Sequence, residues 1–175
     1  SYPGDYFSAE APEKYKIKGS FGHPVPVVDG KTQSSGAKAS AIVLKKEFTD
    51  VKDLLCIDYT SAYSTPSLDK LVRIFVYDRQ GKGSFTVGDE FTANAPIRFE
   101  TAITTQANWK IIDDTHLLLT TGTEQMTVTI EASGKVAFTS ETIEVNSPAY
   151  TRIGISLKEQ SKDGYIRLTM RTKQL

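Results

Sequence analysis

The feature that most constrains this chain is a recurring alternation of apolar and polar residues with a period of two. In "RIGISLK" (152–158), Ile153, Ile155 and Leu157 alternate with Arg152, Gly154, Ser156 and Lys158. In "YIRLTMR" (165–171), Ile166, Leu168 and Met170 alternate with Arg167, Thr169 and Arg171, and in "QMTVTIE" (125–131) Met126, Val128 and Ile130 alternate with threonines and Glu131. Successive side chains point to opposite sides only in an extended strand, so each stretch predicts a strand with one wet face and one dry face. Further candidates lie at 39–45, 71–77, 97–103, 109–112, 116–120 and 135–139, in a background rich in Thr, Val, Ile, Phe and Tyr that begins at Ala39.

Turn signals separate these stretches: Gly81 and Gly83, Asp113-Asp114, Gly122, Ser133-Gly134, Asn146-Ser147-Pro148 and Lys162-Asp163-Gly164. Two segments read as short helices. "FTDVKDLL" (48–55) offers Thr49 or Asp50 as an N-cap, with a strand-edge turn as the alternative, and "TVGDEFTAN" (86–94) is the second. The pattern predicts an all-β, two-sheet sandwich, a jelly roll of about eight to ten strands with one or two helical insertions.

A length of 175 residues fits one domain. Prolines at 3, 12, 24 and 26 and glycines at 4, 19, 22, 30 and 36 forbid long elements, so residues 1–37 are expected to form an extended arm and 38–175 the sandwich. Tyr2, Tyr6 and Phe7 in that arm predict packing on this domain or on a neighbouring subunit. The opening residues, punctuated by Pro3, Gly4 and Pro12, read as the start of a mature or trimmed chain without a signal peptide. No apolar run approaches the ~18 residues of a membrane span.

Lys plus Arg and Asp plus Glu both total 21, so the chain lacks the cationic excess that drives non-specific nucleic-acid binding. Cys56, the sole cysteine, rules out an intrachain disulfide and a cysteine-based zinc site, and its apolar neighbours predict a buried thiol. His23 and His116 have no metal-ligand spacing, and no nucleophile elbow, phosphate loop or dinucleotide fingerprint occurs. Asp89-Glu90 and Asp113-Asp114 are adjacent pairs rather than opposed acids, and the latter reads as a solvated turn. These observations predict a non-enzymatic protein with no cofactor and no metal. Trp109 shares a strand side with Ile111 and reads as core, with ligand binding as the alternative. Arg152, Arg167, Arg171 and Lys173 would form a basic face, able to meet phosphate or a carboxylate-rich partner, if their strands were neighbours.

"LVRIFVYDRQGKG" (71–83) ends a strand in Tyr77, Asp78, Arg79 and Gln80 before a glycine turn, and "FTVGDEF" follows. This stretch resembles capsid proteins of small single-stranded DNA viruses and small plant viruses, whose jelly-roll strand ends in a similar cluster. It is also similar to the related plant-virus movement-protein class. The resemblance covers about twenty residues, and the arginine-rich arm usual in those capsids is absent. It implies a structural, self-assembling protein of the virion, bound to copies of itself and to nucleic acid through a basic face or a missing arm. From the residues alone, Asp78 suits an Asx-turn and Arg79 suits an ion pair within the domain or between subunits. The alternative function is a secreted or surface sandwich that binds carbohydrate or protein.

Overall fold

All three alternating stretches form strands in the computed structural model of the protein, which describes residues 16–143 and 149–173, with Lys173 as backbone only. The strands are β1 (Val27–Val28), β2 (Ile42–Phe48), β3 (Lys52–Asp58), β4 (Leu68–Asp78), β5 (Ser84–Ile97), β6 (Phe99–Thr105), β7 (Asn108–Asp113), β8 (His116–Thr121), β9 (Glu124–Ala132), β10 (Val136–Ile143), β11 (Tyr150–Leu157) and β12 (Ser161–Lys173). Short 3-10 turns stand at Ser20–Gly22 and Thr60–Ala62. Tyr2, Tyr6, Phe7 and the Asn146-Ser147-Pro148 turn lie outside the described residues.

The strands build two antiparallel sheets, one ordered β1-β6-β11-β10 and the other β2-β3-β4-β5-β12-β9-β8-β7. The predicted two-sheet sandwich is therefore the fold. Its wiring differs from the sheet-alternating jelly roll, and the described strands number twelve. Hairpin connections are the reason: each lays the next strand beside the last, tightly at β2–β3, β7–β8 and β8–β9 and through the Thr60–Ala62 turn at β3–β4, so β2 to β5 and β7 to β9 stay in one sheet. The chain changes sheet at a corner between β5 and β6. There the Asp29 N–H donates to the Arg98 carbonyl (2.9 Å) and the Arg98 N–H donates to the Asp29 carboxylate (2.8 Å).

Neither expected helix forms: 48–55 is the strand-edge turn that stood as the alternative, and 86–94 is a strand. At 48–55, the Thr49 hydroxyl accepts from the Lys52 N–H (2.9 Å), and the Thr49 N–H donates to the Lys52 carbonyl (3.1 Å). The expected helix cap instead closes the β2–β3 hairpin. Residues 86–94 lie in β5, paired on one side with β4 and on the other with β12, so ladder bonds on both sides override a weak helical pattern.

The core fills the space between the sheets with Leu71, Phe91, Leu117, Val128, Ile166 and Leu168 from one side and Phe99, Ile153 and Ile155 from the other. Phe91 and Phe99 stack across the gap, their centroids 4.6 Å apart. The larger sheet is twice as wide, so part of it extends past its cover. All seven residues of β2 are exposed and none of β3 is buried. These strands form a wing with solvent on both faces.

Candidate functional site

Two places in the fold concentrate unusual chemistry: a clamp on the N-terminal segment, and the uncovered wing.

The clamp begins with Arg73, placed by the period of two on the same side of β4 as Leu71 and Phe75, and so inside the sandwich. It faces Asp89 of β5 in direct register. Its Nε and Nη2 donate to Asp89 Oδ1 and Oδ2 at 2.7 and 2.9 Å, and the Tyr59 and Thr101 hydroxyls donate to the same carboxylate at 2.7 Å each. Because Thr101 is on β6, this carboxylate ties the two sheets together. Burial disfavours the Arg73 cation, but the charge and hydrogen bonds of Asp89 outweigh it and raise its pKa. Burial, followed by the nearby Asp89 charge, raises the Tyr59 hydroxyl far above its ordinary value.

The remaining donors of this end grip the chain around "GHPVPV". Arg73 Nη1 donates to the Pro24 carbonyl (2.8 Å), Tyr63 Oη to the Pro26 carbonyl (2.8 Å) and Tyr150 Oη to the Gly22 carbonyl (2.5 Å). Arg152 Nη2 reaches the Val25 carbonyl (3.4 Å), while Nη1 binds Glu100 (2.6 Å) and the guanidinium lies 4.4 Å from the Phe21 ring centroid. Prolines carry no N–H, so this strap offers mainly acceptors, and arginine and tyrosine side chains supply the donors. His23 is exposed on the strap.

On the wing, the core-facing side of β4 and β5 continues outward as Phe75, Tyr77 and Phe85, opposite Leu55 and Asp53 of β3. Phe75 and Phe85 stack at 6.4 Å, and Phe48 and Val43 lie further out, 65% and 55% exposed. The opposite face holds an apolar groove of about 510 Å³, lined by Leu44, Cys56, Val72, Ile74 and Tyr165 and rimmed by Lys70 and Glu90. Cys56 is thus half-buried at a groove rather than buried, because it lies on the outer face of β3 while Ile57 on the other face packs against the core.

The Tyr77–Gln80 cluster closes the β4–β5 hairpin. Asp78 Oδ1 accepts from the Gln80 N–H (2.9 Å), and Gly81 and Gly83 take positive φ of 59° and 73°. Arg79 Nη2 binds Asp53 (2.5 Å), Nη1 reaches the Thr49 carbonyl (3.2 Å), and the guanidinium lies 4.8 Å from the Tyr77 ring centroid. That hydrogen bond lowers the Asp53 pKa and raises that of Arg79. Arg79 therefore reaches into its own domain.

The expected basic face does not assemble. Arg152 is in β11 of the small sheet and 2% exposed, whereas Arg167, Arg171 and Lys173 are in β12 of the large sheet. Two alternating strands adjacent in sequence joined different sheets, so their polar faces point apart. Arg167 lies between Glu131 (3.3 Å) and Glu90 (3.6 Å), which offset its charge. Trp109 is half-buried against the core. His116 Nδ1 contacts Asp113 at 3.0 Å, and the Thr115 N–H and hydroxyl with this ring hold the Asp113 carboxyl down to about 2. Among the described residues, no three His, Cys, Asp or Glu side chains form a metal-binding group, and no helix is long and apolar enough to cross a membrane.

The fold defines a wide-sheet, all-antiparallel β-sandwich. Among solved structures it is similar to heparan sulfate lyase HepC from Pedobacter heparinus (TM-score 0.75, 12% identity), matching 99% of this chain and 27% of that one. A structure of heparinase III matches 84% of this chain and 23% of its own (TM-score 0.64, 17% identity), and a heparinase III gene product matches 98% and 27% (TM-score 0.68, 12% identity). The chain thus spans about a quarter of the length of these proteins. No protein-family model matches the sequence, and no curated protein does.

Proposed function

We propose that this chain is a non-catalytic β-sandwich unit of the kind carried by lyases of acidic polysaccharides such as heparan sulfate, and that it supports a separate catalytic unit by docking on it. One observation carries this reading: the sandwich is matched over 84–99% of its length by proteins of which it spans only about a quarter. The wing supports it physically. A sheet face bearing Phe48, Tyr77 and Phe85 at 65%, 46% and 38% exposure is apolar surface that a second domain would remove from water.

The test is an eliminative-cleavage assay on heparan sulfate, following unsaturated uronate by absorbance. The 175-residue chain alone is expected to yield no product. The full polypeptide encoded by its gene is expected to cleave, and Phe48→Glu with Tyr77→Glu in that polypeptide to lower activity or separate the units under limited proteolysis. Cleavage by the isolated chain, or a full polypeptide inert on heparan sulfate, overturns the reading.

The self-assembly expected from the viral resemblance is not carried by Arg79, whose donors face its own chain.

A further inference from the structure

We propose that β2 is a dimerisation edge, pairing antiparallel with β2 of a second copy about a two-fold axis at Lys46, and this inference does not depend on the lyase reading. Among the described residues β2 is an edge strand of the eight-stranded sheet, and one row of its backbone N–H and C=O groups has no strand partner there. Natural edges are shortened, covered or made polar. This one carries Lys45, Lys46, Glu47 and a bulge between Val43 and Lys45, yet it is seven residues long and still exposes Ile42, Val43, Leu44 and Phe48 at 65%, 55%, 49% and 65%.

Backbone geometry restricts the register. The Thr49 N–H donates to the Lys52 carbonyl, so by antiparallel alternation Glu47 exchanges hydrogen bonds with Leu54 while Lys46 and Phe48 turn theirs to the free edge. A two-fold pair must therefore set outward residues opposite outward residues. β2 is regular from Lys45 to Phe48, past a bulge between Val43 and Lys45, and within that stretch centring on Lys46 satisfies this and opposes Lys45 to Glu47 of the other copy, twice. The ionic pairs fall at the closer, non-hydrogen-bonded spacing, where cross-strand charge matters most. The one like-charge contact is Lys46 with its own copy, and long flexible side chains let those ammonium groups separate. Centring on Lys45 instead opposes Lys45 to itself at the close spacing, and centring on Glu47 opposes Glu47 to itself there, so charge selects the Lys46 register. In the single chain Lys45 and Glu47 pair with each other at 3.1 Å on an exposed face, so dimerisation redirects an ion pair already present.

Light scattering coupled to size exclusion, over a concentration series of the 175-residue chain, reads this directly. The expected result is a concentration-dependent dimer. Lys45→Glu and Glu47→Lys each create two like-charge contacts and are expected to weaken it about tenfold or more, with circular dichroism unchanged. Mixing the two variants is expected to restore a heterodimer, since positions 45 and 47 are both acidic in one variant and both basic in the other. Charge repair in trans is a readout that a purely internal role would not produce. A monomer at every concentration overturns the proposal. So does a dimer unaffected by either substitution, or two monomeric variants that stay monomeric when mixed.

Discussion

Arg73 on β4 and Asp89 on β5 form a bidentate ion pair sealed between the two sheets, with the Tyr59 and Thr101 hydroxyls completing the carboxylate's shell. The side chains are 8% and 1% exposed, so nearly all of their hydration has been exchanged for each other. The pair also fixes registry, because a one-residue slip of β4 on β5 would turn Arg73 to the opposite face and strand Asp89 in the core.

Removing one partner should therefore be costly. Arg73→Met leaves an unpaired buried carboxylate and is expected to lose about 3–5 kcal/mol in urea unfolding. Adding Asp89→Asn removes that charge while keeping an acceptor for Tyr59 and Thr101, and should recover part of the loss. A double variant as unstable as the sum of its singles would contradict this account.

The strap provides a milder test. Tyr63→Phe deletes the hydroxyl that donates to the Pro26 carbonyl and also meets the Gln33 side chain, and is expected to cost about 1 kcal/mol, with faster hydrogen exchange centred on residues near 22–28. Exchange that rises evenly across both sheets would show that the strap is not a separate unit.

Gly22 packs where a methyl would overlap the Lys16 backbone carbonyl. Gly22→Ala should displace the first turn of the strap and lower stability by about 1–3 kcal/mol, measured by thermal melting. Gly134→Ala, where nothing lies near the added methyl, is the control and should melt like the parent.

Acid should weaken the fold through two carboxylates, exposed Asp113 and half-buried Asp53. Asp113 is held to about 2 by hydrogen bonds from Thr115 and His116, and Asp53 is lowered by its hydrogen bond from Arg79. Lowered folded-state values mean that the unfolded chain binds these protons first, beginning near the ordinary 3.8. Their contribution is full above that value and is lost as pH falls through each lowered folded-state value, about 2 for Asp113. Asp113→Asn should flatten the fall in melting temperature between about pH 4 and pH 2. An unchanged slope would assign acid sensitivity elsewhere.

Much of this was readable residue by residue. Ile153, Ile155, Ile166 and Leu168 announced buried strand faces, and Asp78 with Gly81 and Gly83 announced the hairpin they close. Arg73 carried a signal too: a charge in phase with Leu71 and Phe75 must be buried and must have a partner. Its partner Asp89 lay in a segment read as helical, and nothing local connects the two.

The sequence by itself determined most of the strands (though not β1, β3 and β5), most of the turns and the two-sheet class, because a period of two and glycine at positive φ are properties of the chain's own neighbours. Only the tertiary structure decided that Arg152 is buried in one sheet while Arg167 is exposed on the other. It also decided that Arg73 meets Asp89, and that β2 is left bare at an edge. Those outcomes depend on which strands lie side by side and how far one sheet overhangs the other, and hydrogen-bonded pairing between distant segments sets both.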